Sequence, residues 1–365
     1  MKIVVTGTRG IPDIQGGVET HCQNLYPRLA AKGHDITLIR RTPYVAPDNR
    51  RTSYLGVRLL DVYAPHCKSL EAIVHTLLAV IEAKKMKADV VHIHAIGPAL
   101  MAPLAKMLGL NVVVTHHGAD YERQKWGRSA RFALRAGERM AARFADRIIS
   151  ISQYISDSLA QKYGRSDAVL IHNGVNPPVP AESTGYIRSL GLEPGRYAVA
   201  LGRFVPEKGF HDLIEAFRDM PEGYRLAIAG DADHADDYAD ALKEQARKAG
   251  VVLPGFIHGD DLNELMSHAA LFCMPSYHEG LPIALLEAMS YGLDVAVSDI
   301  PACRIPELSE ADYFPAGDVR AITETLRRKF AAGAPRRTYN LAAYDWDGIA
   351  RQTEAVYASL CDCGE

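Results

Sequence analysis

The feature that most restricts this chain is an alternation that runs its length and restarts once. Short β-rich runs, KIVVTGT (2–8), DITLIR (35–40), DVVHIHA (89–95), NVVVTHHG (111–118), RIISISQ (147–153) and AVLIHNG (168–174), are interleaved with helical patterns such as the one near 18–32. Strands alternating with helices imply right-handed crossovers and a parallel sheet, the doubly wound α/β arrangement. Periodicity disappears in HNGVNPPVPAESTG (172–185), where Asn, Gly, Pro and Ser cluster. The pattern then resumes with YAVALGR (197–203), YRLAIAGD (224–231), GVVLPGF (250–256), LFCMPS (271–276) and DVAVSD (294–299). The expectation is two related α/β domains, 1–172 and 173–340, with a C-terminal helix in 341–365 crossing back to the first. The 365 residues suit two such domains. In sheets of this kind ligands bind beyond the carboxyl ends of the strands, so the loops there should carry the chemistry, in a cleft between the domains.

Hydrophobic residues at 48% and charged residues at 23% fit a soluble globular protein. No apolar run approaches the roughly 20 residues of a membrane span, and MKIVVTGTRG lacks a signal peptide's apolar core, so a cytoplasmic location is expected. Cys22, Cys67, Cys273, Cys303, Cys361 and Cys363 lack framework spacing and are read as thiols rather than disulfides. The net charge of −3 hides an asymmetry: residues 1–172 hold 24 Lys and Arg against 14 Asp and Glu, while residues 173–365 hold 17 against 30. The first half is suited to an anionic surface, membrane or nucleic acid; a phosphate bound by the second half needs dedicated cations.

Those cations stand in LGRFVPEKGF (201–210), where Arg203 and Lys208 flank one strand-to-helix loop. A guanidinium fork and an ammonium point charge five residues apart can grip a diphosphate; a solvated loop is the plainer alternative. The stretch HEGLPIALLE (278–287) places Gly280, Leu281 and Pro282 at a helix start, a natural anion site, with Glu279 before it and Glu287 within it. Glu287 lies in an otherwise apolar helical run, so its carboxylate is expected to be hydrogen-bonded or paired. After the first strand, Gly16 and Gly17 in TGTRGIPDIQGGVETH (6–21) permit close approach of backbone N–H groups to a phosphate, or make a plain tight turn. This loop does not match GxGxxG, which gives nicotinamide binding low weight.

HIHAIGP (92–98) and VVVTHHGAD (112–120) place His92, His94 and His117 near strand ends. Three histidines raise zinc, but no Cys or Asp ligand set of recognised spacing accompanies them, so His117 is read as a hydrogen-bonding or proton-handling group and no metal site is assigned. Asp231 and Asp233 in AGDADHADD form a DxD read as a solvated loop. Finally, 122–147 carries eight basic residues against three acidic, and Arg128, Arg131, Arg135 and Arg139 follow one helix face, which suits an anionic membrane surface. Aromatic interleaving is too thin for nucleic acid.

Together these stretches resemble a retaining glycosyltransferase of family 4, with the GT-B fold of two Rossmann-like domains. The resemblance spans almost the whole chain: GGVET (16–20), THHGAD (115–120), IHNGV (171–175), GRFVPEKG (202–209), and above all EGLPIALLEAMSYG (279–292) followed by SDIPACRIPE (298–307). YERQKWGRSA (121–130) is also similar to bacterial polysaccharide-assembly enzymes, rhamnosyltransferase-like members included. The resemblance implies a nucleoside diphosphate sugar, a UDP-sugar foremost, held mainly by the second domain. Arg203 and Lys208 would hold its diphosphate with help from Gly17 and the backbone around Leu281 and Pro282. Ile257 would contact the base through its backbone, Glu287 the ribose and Glu279 the transferred sugar. His117 matches a histidine near the reacting carbon. The family works without a required metal or other cofactor, and retention without a clear enzymic nucleophile implies same-face attack. Asn176 departs from the pattern, which often has Asp there.

The expected activity is transfer of a hexose or N-acetylhexosamine to a lipid-linked or oligosaccharide acceptor during surface-polysaccharide assembly. A sugar-nucleotide epimerase of the same fold, or rhamnosyl transfer from a dTDP-sugar, is the alternative. A non-catalytic sensor would not need the retained cations and glutamates.

Overall fold

A computed structural model describes residues 1–65, 70–122, 127–232 and 237–361. The chain divides into two compact units, Met1–Gly174 with Tyr344–Glu365, and Val175–Ala343.

Among the described residues the first unit has eight strands: β1 (Lys2–Thr6), β2 (Asp35–Arg41), β3 (Ser53–Tyr54), β4 (Val57–Val62), β5 (Val90–His94), β6 (Asn111–His116), β7 (Arg147–Ser150) and β8 (Val169–Leu170). They lie in the order β3-β4-β2-β1-β5-β6-β7-β8, parallel throughout except for the β3/β4 hairpin. β1 and β5 are buried almost end to end, as central strands covered on both faces must be, and both are rich in Val and Ile. β4 escapes a pattern reading because Arg58 and Asp61 interrupt its apolar positions. The strand order reverses between β1 and β5, so the loops leaving their carboxyl ends part and open a crevice there.

The last helix, Trp346–Cys361, belongs to this unit and packs on the helix Gly17–Ala31. Trp346, Ile349, Ala350, Val356 and Tyr357 enter the same apolar core as Ile3, Val5, Leu25 and Tyr26. Arg28 to Asp347 (2.8 Å) and Lys32 to Glu354 (2.6 Å) lie along its edge. Exposed pairs of this kind contribute about 0–1 kcal/mol each, so the buried indole does most of the anchoring.

The second unit carries β9 (Tyr197–Leu201), β10 (Arg225–Ala229), β11 (Val252–Gly255), β12 (Leu271–Met274), β13 (Asp294–Ser298) and β14 (Tyr313–Phe314), all parallel, in the order β11-β10-β9-β12-β13-β14. Its reversal falls between β9 and β12. Beneath the sheet edge a buried ion cluster closes the unit: Lys329 Nζ donates to Asp294 and Asp312 at 2.8 Å each, and Arg337 donates to the same two carboxylates at 3.1 and 2.6 Å. Burial opposes charge on Asp312, but Arg337 and Lys329 outweigh it and hold its pKa at about 2.

Cys22, Cys273 and Cys303 are buried free thiols; Cys67 and Cys363 lie outside the described residues. Among the described residues no helix is long and apolar enough to cross a membrane.

Candidate functional site

In the second unit the chemistry collects where β9 and β12 end. The loop after β9 runs through Arg203 into a short 3-10 turn, Pro206–Lys208, then Gly209 and the helix Phe210–Phe217. Gly209 has φ +63°, and a Cβ there would lie 2.1 Å from the Pro275 carbonyl oxygen, so only glycine lets this loop touch the one after β12. Tyr277 N–H donates to the Glu207 carbonyl at 2.9 Å and fastens the two loops together. That contact brings Lys208 to Glu279: Nζ donates to Oε1 at 2.6 Å, with both side chains mostly buried. Arg203, on the same loop, is partly exposed. Cys303 is buried nearby, its thiol pushed up by burial and then by the Glu279 charge, with Lys208 opposing.

Past Glu279 and Gly280 the chain turns through Leu281 and Pro282 into the helix Ile283–Ser290, and no side chain caps its first turn. Its first-turn N–H groups are therefore without a side-chain cap among the described residues, as an anion site requires. Glu287 differs from expectation. It is partly exposed, and among the described residues no cation or donor side chain pairs with it; loss of water instead raises its carboxyl to about 7. The acid is accommodated by holding a proton near neutrality rather than by a partner. Ile257 follows β11 in a surface loop, half-buried beside exposed Phe256 and His258. Tyr277 stacks on His211 and donates to Asp212, which fixes the base of the loop carrying Glu279.

In the first unit the loop after β1 is pinned from within. Glu19, buried in the first turn of the helix Gly17–Ala31, accepts from Thr8 Oγ1 at 3.1 Å and from Arg9 N–H at 2.9 Å. Gly16 has φ +150°, and a Cβ there would strike Glu19 Oε2 at 2.0 Å, whereas a Cβ on Gly17 would meet nothing within 4 Å. Gly16 is thus required by the fold, and Gly17 leaves open space beside a helix start.

The carboxyl ends of β5 and β6 hold an imidazole cluster. His94 Nδ1 and His117 Nε2 are 2.9 Å apart, and His94 Nε2 bonds the Tyr26 hydroxyl. His92 stacks on His94 with centroids 4.4 Å apart, but both its nitrogens are engaged, Nδ1 by Tyr26 and Tyr357 and Nε2 by Thr115. His21, from the Gly17–Ala31 helix, completes the group and donates from Nδ1 to Asn173 Oδ1 at 3.0 Å. Burial lowers every one of these rings, His21 to about 4 and His92 to about 3, so all are neutral at pH 7.

The basic segment forms the helix Arg128–Phe144; residues 123–126 lie outside the described residues. Its exposed stripe is Arg128, Phe132, Arg135, Arg139 and Arg143, with Phe132 76% exposed. Arg131 is turned inward, one position off this stripe. The buried face carries Glu138, which accepts from His116 at 2.9 Å and from Tyr163 at 2.7 Å. Asp231 pairs with Lys243 at 2.7 Å, and Asp233 lies outside the described residues.

Two parallel-sheet α/β units, the second with cations and a helix start at its reversal point, define a glycosyltransferase of GT-B fold. Residues 15–178 match the family described as Glycosyltransferase Family 4, and residues 186–328 match Glycosyl transferases group 1. The chain belongs to glycosyltransferase family 4, and it is an enzyme that uses sugar donors. It is 28% identical over 386 residues to a 2-deoxystreptamine N-acetyl-D-glucosaminyltransferase of Streptomyces fradiae, covering 94% of this chain and 90% of that one. Its fold matches sucrose-phosphate synthase from Thermosynechococcus elongatus with a TM-score of 0.83 at 20% identity, over 100% of both chains. It also matches Anabaena HepE, solved in complex with UDP-glucose, with a TM-score of 0.79 at 18% identity over 98% of this chain and 99% of that one.

Proposed function

We propose that the protein is a retaining, metal-independent hexosyltransferase. It moves a hexose or N-acetylhexosamine from a UDP-sugar to a lipid-linked or oligosaccharide acceptor in surface-polysaccharide assembly. The observation that carries this reading is the Lys208–Glu279 contact at 2.6 Å, beside the uncapped start of the helix Ile283–Ser290. It sets a cation for a diphosphate directly against a carboxylate for a sugar hydroxyl. The N-acetylglucosaminyl transfer named for the Streptomyces relative and the UDP-glucose held by HepE support the choice of donor.

Arg203, Lys208 and the helix start stabilise the charge that develops on the leaving diphosphate, a preorganised electrostatic role that asks for no metal ion. Glu279 accepts from hydroxyls of the transferred sugar, Glu287 from the ribose, and the backbone at Ile257 meets the base. As the bond from the anomeric carbon to the phosphate oxygen breaks, the acceptor oxygen bonds the same face. Its proton passes to the departing phosphate oxygen, so no group on the chain changes protonation overall.

The exposed stripe of Arg128, Phe132, Arg135, Arg139 and Arg143 favours a peripheral contact with anionic lipid, where a lipid-linked acceptor resides. The test of function is release of nucleoside diphosphate from UDP-, dTDP- and GDP-sugars with and without polyprenyl-linked acceptors, in excess EDTA. UDP release that needs acceptor and survives EDTA is expected. Sugar epimerisation without acceptor would overturn the transferase reading, and loss of activity in EDTA would overturn metal independence.

A further inference from the structure

One ring nitrogen from each of His21, His94 and His117 lies within 4.8 Å of one from each of the others. We propose that His21 Nε2, His94 Nδ1 and His117 Nε2 form a three-imidazole site for a divalent transition-metal ion of the zinc class, with solvent in the fourth position.

The distal nitrogens argue for it. His21 Nδ1 is taken by the Asn173 side-chain oxygen and His94 Nε2 by the Tyr26 hydroxyl, which leaves Nε2 and Nδ1 respectively as the inward atoms. Metal-bound imidazoles have this outer-shell arrangement: a partner on the far nitrogen fixes tautomer and ring orientation. His92 is excluded for the same reason, because both its nitrogens are already engaged.

One ligand pair already stands near the spacing an ion needs, and His21 closes on it from within 4.8 Å. His94 Nδ1 and His117 Nε2 are now joined across 2.9 Å by a single proton. Replacing that proton by an ion with Zn–N bonds of about 2.0–2.1 Å asks these atoms to part by only about half an ångström. His117 is the one ring of the three with solvent exposure, so the fourth position can reach water. Three neutral nitrogens are the ligand type that zinc, copper and nickel accept. A bound hydroxide offsets part of the ion's charge, as an all-histidine site with an open position requires. The site is compatible with metal-independent transfer, since Arg203 and Lys208 meet the diphosphate charge in the second unit.

The experiment uses the full chain, stripped with EDTA, dialysed and titrated with Co²⁺ while visible d–d absorption is followed, then with Zn²⁺ in competition. One ion per chain with submicromolar affinity is expected. His21→Gln should abolish the band. Asn173→Ala, which leaves all three ligands in place, should weaken binding about ten- to a hundredfold. Thermal melting is read alongside: Zn²⁺ raises the Tm of the wild type and not that of His21→Gln. Absence of the band from the folded wild type, or a band undiminished in folded His21→Gln, overturns the site. Neither readout depends on glycosyl transfer, so failure of the transferase reading leaves this one standing.

Discussion

Lys208 donates to Glu279 Oε1 across 71 residues of sequence, so the cation proposed for the diphosphate and the carboxylate proposed for the sugar hold each other in place before any ligand arrives. Removing either partner leaves a mostly buried charge without its counterion, and the two substitutions should not act independently.

Lys208→Ala and Glu279→Ala should each lower turnover by about 10²–10³. The double variant should lose less than the product of the two. Steady-state nucleotide release measures all three, and a wild-type rate in either single variant would sink the assignment.

Glu287→Gln should stabilise the protein at alkaline pH. The folded carboxyl is raised to about 7, so the folded state resists ionisation and loses stability as pH climbs from the unfolded value near 4.5 toward 7. The glutamine removes that loss, by about 3 kcal/mol at pH 8. The same variant should bind nucleotide more weakly, having exchanged a carboxylate acceptor for an amide. A Tm difference between variant and wild type that does not grow between pH 5 and pH 8 would refute the first expectation.

Acid should loosen the first unit well before the carboxylates titrate. His21 and His92 are held to about 4 and about 3 when folded, so the unfolded chain takes up protons first as pH falls below about 6.5. Stability then drops by about 1.4 kcal/mol per pH unit for each ring, until pH passes below the folded values. Urea melts between pH 7 and pH 5 should show this slope, and His21→Gln should flatten it.

Liposome flotation should find the protein on vesicles of phosphatidylglycerol and not on phosphatidylcholine alone. Each exposed arginine of the stripe is worth about 1 kcal/mol at an anionic surface, and salt screens it. Arg135→Glu with Arg139→Glu should abolish binding, and Phe132→Ala should weaken it without changing the salt dependence. Binding indifferent to salt would reject the lipid contact.

Trp346→Ala should destabilise the first unit by about 3–5 kcal/mol, the cost of deleting a large buried aromatic. Gly174 lies against this ring, where an added Cβ would sit 2.5 Å from Cδ2. Chemical unfolding with a fluorescence probe in each unit would localise the loss.

The doubly wound architecture was legible because a buried parallel strand needs a run of Val and Ile, and the loops that end such strands are punctuated by glycine. Arg203, Lys208, Glu279 and the turn at Leu281–Pro282 were legible as charges and backbone at strand ends. Their mutual arrangement was not, since a contact like that of Lys208 with Glu279 depends on how two loops meet at Gly209 and Pro275. His21 escaped notice for the same reason: it sits on a helix, far in sequence from His94 and His117. Phe132 and Arg131 exchanged their expected faces because helix rotation is set by what Gly137 and Glu138 pack against, not by the arginine spacing. Glu287 could be recognised as an acid in apolar surroundings; that it has no side-chain partner among the described residues, with its proton affinity raised instead, required the surrounding side chains.

The helix Trp346–Cys361 gives the chain an order of events. The first unit begins at β1, yet its core stays open until Trp346, Ile349 and Tyr357 have left the ribosome, after the whole second unit has been made. Tyr357 also supplies a hydrogen bond to His92, so the imidazole cluster stays incomplete until then. The unit that is started first is finished last, and a released chain truncated after residue 343 would hold every residue of the second unit while the first unit's apolar core lacked its final helix.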